Sequence, residues 1–590
     1  MSYHEYLIVG AGPAGLQMGY FLEQAGREYL ILEAAPSAGA FFAEQPRHRT
    51  LISLNKCYNW FDEPDFNLRY DWNSLLTHDH SLLFPAYTKE LYPHADTMVQ
   101  YLNDFARKYA LKIQYNTLIQ QITREGTDDR HFALTDTAGN AYHGRCLLIA
   151  TGAIKPNIPA DIEGIELAEG YETHNIDPER FINKRVVILG RGNSAFEVAN
   201  HLAGYAATIQ IFTAGQLVVH AWQTHFVGDL RSINDSILEM NQLKMPHLIS
   251  GARVTKIVQQ EDGTLKLYYD EDVPHWAVPG TMRSVGVYDH VIRCTGWKFV
   301  EPALFGPSVA PAVDARSKYA VLSAIWESSV PDLFFIGGAM ANNDRKTTPG
   351  FIHGFRYNIR TLFHLLEQRY HDVPLPTQTF PLDTVEDLQA LVEALLTRIS
   401  TTSALFQMFG VLGDALVLSP GQAEWFRELP VAHVLTQPRF TAGRELVMVT
   451  LELGFDRFPA GTDTLSFIHP NDPGGDGQCV AFIHPVVRHY SNGQMVNEVH
   501  MQSGVFVRYD QPNETFALEF NSEKPKNLMM NFINSVARVS DRIFTIKTFT
   551  DGEVGGFTPW PPERRYEDPG LPKCLRTHSS DFVPDPAKYL

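Results

Sequence analysis

The feature that most constrains this chain is a glycine-rich turn that occurs twice. Gly10-Ala11-Gly12-Pro13-Ala14-Gly15 follows the apolar run Tyr6-Leu7-Ile8-Val9, and Gly190-Arg191-Gly192-Asn193-Ser194-Ala195 follows an apolar run over 185–189. In both cases helical spacing comes next, over 16–24 and 196–202, and then a second apolar run, over 29–32 and 207–212. Strand, tight turn, helix and strand within about 30 residues make a β-α-β unit. The first glycine permits the turn, the second lets backbone approach a pyrophosphate, and the third lets helix and strand pack closely. The helix N-terminus then offers N–H groups and its positive dipole end to the phosphates. The predicted fold class is α/β, with two Rossmann-like dinucleotide-binding domains and a C-terminal mixed α+β region.

The two turns differ at the residue 23 positions after the first glycine, which is Glu33 in one and Thr213 in the other. A carboxylate there accepts hydrogen bonds from ribose hydroxyls and would repel a 2′-phosphate; a threonine does not repel it. FAD is therefore expected at Gly10, Gly12, Pro13, Ala14, Gly15 and Glu33. A nicotinamide cofactor is expected at Gly190, Gly192, Asn193, Ser194, Ala195 and Thr213, with NADPH favoured over NADH and Arg231 as its nearest candidate cation.

Two apolar runs end in Thr-Gly pairs, Thr151-Gly152 and Thr295-Gly296, which marks where the chain crosses between the two nucleotide domains. The expected domains are 1–155 and 297–373 for FAD, 156–296 inserted for the nicotinamide cofactor, and 374–590 at the C-terminus. A last strand over 333–336 leads to Gly337-Gly338. Thr348-Pro349-Gly350-Phe351 opens a helix reaching about 368, whose N-terminus should meet the flavin as charge develops on reduction. Phe42, Ile119, Thr151, Gly152, Thr295, Gly296, Gly338, Gly350 and Phe351 complete the expected cofactor contacts. Beyond them, 374–381 reads as a linker, 385–416 as helical, about 430–510 as β-rich, and the proline-rich tail as an extended arm. His469 and His484 read as structural histidines.

Net charge is −18, which argues against nucleic acid or an anionic membrane surface as partner. No apolar run is long enough to span a bilayer and no secretory leader is visible, so a cytoplasmic protein is expected. The five cysteines include no C-x-x-C pair and no zinc-like spacing, so no metal is expected. That removes dithiol reduction, which needs two close thiols. Three uses of reduced flavin remain: activation of O2, electron transfer to another acceptor, and hydrogen peroxide production. A flavin-bearing interaction module is the non-enzymatic alternative. Arg47-His48-Arg49-Thr50-Leu51-Ile52-Ser53-Leu54-Asn55-Lys56 sets basic groups and a buried-type amide near the expected flavin ring. Asn55, Lys56 and Arg49 are the catalytic candidates, because an amide offers a fixed donor and acceptor. Asp71-Trp72-Asn73 and Asn234 are the substrate candidates.

These features resemble the class B flavin-dependent monooxygenases, which combine an FAD unit, an inserted NADPH unit, Thr-Gly crossovers and a Ser-Leu-x-x-Asn segment. Here that segment is Ser53-Leu54-Asn55, with the Asn two positions nearer the Ser, and Phe41-Phe42 replaces the family's usual tryptophan. A narrower resemblance, to the FAD-dependent oxidoreductase domain-containing proteins of the endoplasmic reticulum, rests on specific blocks. They include Pro46-Arg47-His48-Arg49, Phe66-Asn67-Leu68-Arg69-Tyr70-Asp71-Trp72-Asn73, Gly350-Phe351-Ile352-His353-Gly354-Phe355-Arg356-Tyr357 and Phe482-Ile483-His484-Pro485. Without a leader or retention tail, a soluble relative is expected, and the reticulum role does not carry over. The wider resemblance implies reduction of FAD by NADPH, a hydroperoxyflavin held near Asn55, and oxygen transfer to a small molecule at N, S or C. Amines and amino acids are the leading substrates. A homodimer is left open.

Overall fold

The computed structural model describes residues 3–59, 61–125, 131–214, 230–234, 236–243, 246–273, 280–344, 347–454, 483–501, 508–509 and 523–539. His220, Lys346, His469, Cys479, Phe482, Cys574 and the proline-rich tail lie outside these residues. The chain forms two compact units. One comprises Met1–Tyr58 and Tyr70–Arg360, the other Asn59–Arg69 and Thr361–Leu590.

The first unit carries two sheets with parallel strands at their centres, the first of them mixed because Ile119–Glu125 and His131–Asp136 add to it antiparallel. In the first, strand Tyr3–Val9 lies between Tyr29–Leu32 and Ala141–Ile149, all parallel, and Leu333–Phe335 adds on beside Ala141–Ile149. Tyr6, Leu7, Ile8 and Val9 are all buried, which is why the strand reads as a continuous apolar run rather than an alternation. Burying each such side chain contributes about 1.5–3 kcal/mol. Helix Pro13–Gln24 returns over the sheet. The second sheet is wholly parallel, in the order His247–Ser250, Thr208–Phe212, Arg185–Leu189, His290–Arg293, Glu169–Gly170, with helix Asn193–Leu202 after its central strand. Between the two sheets the chain makes a small antiparallel ribbon, Lys155–Pro156 with Trp297–Lys298. Gly152 and Gly296, the glycines of both Thr-Gly pairs, have left-handed φ of 59° and 84° where the chain turns into that ribbon.

The second unit is built on a six-stranded antiparallel sheet in the order Thr377–Pro381, Gln422–Pro430, Leu412–Ser419, Glu445–Glu452, His484–Ser491, Gln494–His500. Two expectations change here. The stretch taken as a linker contains the edge strand Thr377–Pro381; an edge tolerates the proline that suggested a linker. The helical reading of 385–416 overruns. Helix Val385–Thr401 starts with a Thr384–Asp387 capping box and stops, and Leu412–Ser419 is a strand. That strand is buried on both faces, so its apolar residues do not alternate and cannot be told from a buried helix by period. His484 is buried and its Nε2 lies 2.9 Å from His500 Nδ1. Asn59–Arg69 joins this unit because Arg69 donates to the carbonyls of Ile399 and Thr402, at 2.7 and 2.9 Å.

Candidate functional site

The two glycine turns have nearly the same geometry. Gly10 has φ 108° and Gly190 φ 142°, a region closed to ordinary side chains. A Cβ on Gly10 would lie 2.7 Å from the Ala150 carbonyl oxygen, and one on Gly190 2.1 Å from that of Cys294. Each turn therefore crosses directly over the neighbouring strand end. Gly12 and Gly192 differ in kind. Their φ values, −74° and −92°, suit any residue, and among the described residues no atom lies within 4 Å of the Cβ an alanine would place there. Nothing in the protein's own packing requires glycine at these two positions. Both lie at helix N-termini, where a bound pyrophosphate would come close to the backbone. The residues thus fit a dinucleotide at each turn. At the third position a Cβ on Gly15 would lie 1.9 Å from the Gly10 carbonyl oxygen, whereas the second turn accommodates the buried Ala195. Pro13, Ala14 and, in the second turn, Asn193 and Ser194 start the helices.

Glu33 is buried and shapes the first turn: its carboxylate accepts the backbone N–H groups of Ala11 at 2.6 Å and Ala35 at 2.9 Å. A carboxylate has about four acceptor sites, so capacity for ribose hydroxyls remains. Thr213 is fully buried, and its Oγ1 donates to the Ser250 carbonyl at 3.3 Å, so the second turn has no acid in the corresponding place. Gly338 lies against Phe299, and Gly337 against Ala14 at the start of the first helix. Ile119 begins strand Ile119–Glu125 with its side chain in the core of the first sheet.

Asn55, Lys56 and Arg49, the catalytic trio expected from the sequence, are dispersed. Asn55 is buried, and its Nδ2 donates to the carbonyls of Thr88 and Glu90 at 3.0 and 3.1 Å. Both amide protons are committed, and its Oδ1 has no partner among the described residues. The next residue in an extended segment points the other way. Lys56 is accordingly exposed, its ammonium on the Tyr58 carbonyl. Arg49 donates to the Phe42 carbonyl at 2.7 Å and to Asp96 at 2.5 Å, tying helix Ala40–Glu44 to helix Ala95–Lys108.

The substrate candidates also divide. Asp71 accepts from the N–H groups of Asn73 and Ser74 and from the Ser74 hydroxyl, and Asn73 Nδ2 donates to the Ser53 and Leu54 carbonyls. These hydrogen bonds hold a turn. Asn234 Nδ2 donates to Asn193 Oδ1 at 3.2 Å, inside the second nucleotide domain.

Trp72 is different. Its loop is fixed by Gln17, which exchanges two hydrogen bonds with Leu76, by Tyr101, which accepts from Leu75 N–H, and by Arg356, which donates to the Ser74 carbonyl at 2.7 Å. On one side the His353 ring stacks on Trp72 at 4.4 Å and 17°. The guanidinium of Arg231 lies 4.9 Å from the Trp72 ring centre and 4.9 Å from that of Phe351. Phe351 and Gly350 immediately precede helix Ile352–His371. Arg231 itself hangs from the second turn: its backbone N–H donates to Asn193 Oδ1 at 2.9 Å. It is 8% exposed, and its Nε and Nη2 have no partner among the described residues. Burial lowers its pKa to about 10, so it remains charged at neutral pH. Two cation–π contacts contribute about 1–4 kcal/mol together, while burying an ion costs several kcal/mol. Burial, with Arg231 and Arg356 nearby, pushes His353 well below the ordinary imidazole range and holds it neutral. Read from sequence, Trp72, Phe351 and Arg231 carry separate roles, and nothing local marks His353 as their neighbour.

A second cluster joins the two nucleotide domains. Glu197 accepts from His48 N–H at 2.9 Å and from the Tyr171 hydroxyl at 2.8 Å, and Arg47 donates to Tyr171 Oη at 3.1 Å and the His174 carbonyl at 3.0 Å. Burial raises the Glu197 carboxyl. Burial, then His201, His174 and Arg47, push His48 down to about 3 from an ordinary 6.5. The folded value lies below the unfolded one, so this stability is present above the unfolded value and is lost as pH falls from about 6.5 toward 3. The thermal midpoint should therefore fall on acidification, with His48 contributing uptake of about one proton on unfolding. His48→Asn should flatten the slope by that share across a pH series of melts; an unchanged slope would contradict this.

Cys146 and Cys294 are buried in the sheets and Cys57 is half-buried. Among the described residues no group of three metal-ligating side chains converges, and no helix is long and apolar enough to cross a membrane.

The profile of the pyridine nucleotide-disulphide oxidoreductase family matches residues 7–337. FAD-dependent oxidoreductase domain-containing protein 2 of Mus musculus is 36% identical over 516 residues, covering 83% of this chain and 76% of its own length. Its Danio rerio counterpart is 35% identical over 535 residues, covering 82% and 76%. Senecionine N-oxygenase of Tyria jacobaeae is 25% identical over 346 residues, covering 56% of this chain and 66% of its own.

Proposed function

The chain belongs to the pyridine nucleotide-disulphide oxidoreductase family as an FAD-dependent oxidoreductase, and from that premise we propose that it is an NAD(P)H-dependent monooxygenase acting on a small molecule. The observation that carries this reading is the pairing of two dinucleotide turns with a sequence that holds no C-x-x-C. Electrons that enter at one nucleotide have no dithiol through which to leave, which favours O2 as co-substrate. The named activity of the Tyria relative, N-oxygenation, supports transfer to nitrogen, with sulfur and carbon as further acceptors.

FAD, when bound, supplies a carrier that takes hydride from the nicotinamide cofactor and delivers electrons to O2. The chain's own residues do the rest. Gly10, Gly12 and Gly15 bring backbone N–H groups to the flavin nucleotide, and Glu33 orients its ribose. Gly190, Gly192 and Ala195 do the same for NADPH, and Thr213 leaves its 2′-phosphate unopposed; NADH would bind more weakly. The N-terminus of helix Ile352–His371 stabilises negative charge developing beside Gly350 and Phe351. Trp72 and Phe351 exclude water, and Asn55 braces the carbonyls of Thr88 and Glu90.

The test is oxygen bookkeeping. Purified protein is supplied with NADPH and a panel of amines, amino acids, thioethers and aromatics. With at least one of them, oxygen uptake should yield oxygenated product and little hydrogen peroxide. Release of all electrons as hydrogen peroxide with every compound would leave a reductase or oxidase and sink the reading.

A further inference from the structure

The Nε and Nη2 atoms of Arg231 form one edge of a planar fork. That edge is buried, charged, and without an acceptor among the described residues. The rings of Trp72 and Phe351 cover the guanidinium at 4.9 Å each, so a partner must approach along the edge. Two parallel N–H donors on such an edge match the two oxygens of a carboxylate. Among the described residues, the side chains set against the guanidinium, Tyr92, Trp72, Phe351 and the neutral His353, include no carboxylate. A bound anion would complete the edge. The arginine is anchored through its backbone to Asn193 in the second nucleotide turn, while its side chain reaches the residues that open helix Ile352–His371 in the first domain. It thus sits where the two expected cofactors would meet.

We propose that the Nε–Nη2 edge of Arg231, held between Trp72 and Phe351, binds the carboxylate of the oxygenated substrate, so that the substrate class is organic acids, amino acids included. This rests on the monooxygenase reading only for the word oxygenated; carboxylate binding is a separate measurement. The nicotinamide nucleotide shares the anionic chemistry, and Arg231 was its nearest candidate cation in the sequence, but its pyrophosphate has its own cradle at Gly192, its 2′-phosphate would lie beside Thr213, and phosphate oxygens are tetrahedral rather than planar.

The experiment titrates the flavin-loaded protein with benzoate, with its neutral isostere benzamide, and with inorganic phosphate, following the flavin spectrum and thermal midpoint. Benzoate should perturb the spectrum and raise the midpoint, and the other two should not. Arg231→Gln should weaken benzoate by a factor of about ten or more. It should leave flavin content and NADPH affinity unchanged, and should not lower the midpoint without benzoate, because it removes an uncompensated buried cation. Arg231→Lys, which keeps the charge and loses the fork, should bind benzoate between the two. Equal benzoate response in wild type and Arg231→Gln overturns the proposal. So does inorganic phosphate matching benzoate, or loss of NADPH or flavin affinity in Arg231→Gln with benzoate unaffected, which would assign the arginine to a cofactor. Arg231-dependent benzoate binding in a protein that yields only hydrogen peroxide upholds this site and removes the monooxygenase reading.

Discussion

Gly12→Ala should give a folded protein that has lost its flavin. The backbone there, φ −74° and ψ −178°, is open to any residue, and among the described residues nothing lies within 4 Å of the new methyl group. Exchanging glycine for alanine at a helix N-cap costs the fold about 1 kcal/mol or less. The methyl group would stand where the nucleotide's pyrophosphate meets the N-terminus of helix Pro13–Gln24, so FAD affinity should fall by about two orders of magnitude. Gly15→Ala is the contrast. Its Cβ would lie 1.9 Å from the Gly10 carbonyl oxygen, so helix and strand must separate, at a cost of about 3 kcal/mol or more to the fold itself. Flavin per chain after purification, read with the thermal midpoint of the flavin-free protein, separates the two variants. Full flavin occupancy in Gly12→Ala would show that the open space serves something else.

The second large effect is on stability and lies in the other unit. Arg398 is buried with three carboxylates around it: Asp414 at 3.3 Å, Asp65 at 3.4 Å, and Glu428, to which its Nη2 donates. Those acids raise the arginine's pKa against the lowering effect of burial, and burial raises the Asp414 carboxyl. Trp425 Nε1 donates to Asp414 at 3.1 Å, and Glu428 N–H donates to it at 2.9 Å, so Asp414 is fixed from several sides. Arg398→Met would leave the buried Asp414 and the nearly buried Glu428 without their cation, while Asp65 is more than a third exposed, and should destabilise the unit by about 3–5 kcal/mol. Adding Asp414→Asn removes one of the stranded charges, so the double variant should recover part of that loss. Urea unfolding combined with amide exchange on strand Leu412–Ser419 reads both. A loss below about 1 kcal/mol for Arg398→Met would mean that water reaches the cluster.

The nucleotide turns were legible because their constraints are local. Gly10, Gly15 and Gly190 are required by carbonyl oxygens that a short β-α-β unit necessarily brings close, so the sequence pattern and the steric cause coincide. Asn55, Lys56 and Arg49 were grouped by nearness along the chain, but an extended segment sends Asn55 and Lys56 to opposite sides, and Arg49, with a left-handed φ of 64°, lies outside that segment. Asp71 and Asn73 looked like site residues because polar groups flank a tryptophan; their hydrogen bonds go to Ser74 and to the Ser53 and Leu54 carbonyls instead. The association of Trp72 with His353, and of Asn59–Arg69 with residues near 400, depends on contacts across hundreds of positions, and no periodicity encodes these. In the C-terminal unit, burial on both faces erased the alternation that identifies a strand, and a proline at a sheet edge imitated a linker.

The central claim is that the two turns divide the labour, flavin at Gly10 and nicotinamide at Gly190. Anaerobic titration of the purified protein with NADPH tests it most directly, with Gly192→Ala alongside. Wild type should carry flavin and lose its visible absorption stoichiometrically with added NADPH. Gly192→Ala should carry the same flavin, respond to dithionite, and remain oxidised at NADPH concentrations that bleach the wild type. Flavin that NADPH cannot bleach in the wild type, or that it bleaches equally well in Gly192→Ala, would contradict the assignment.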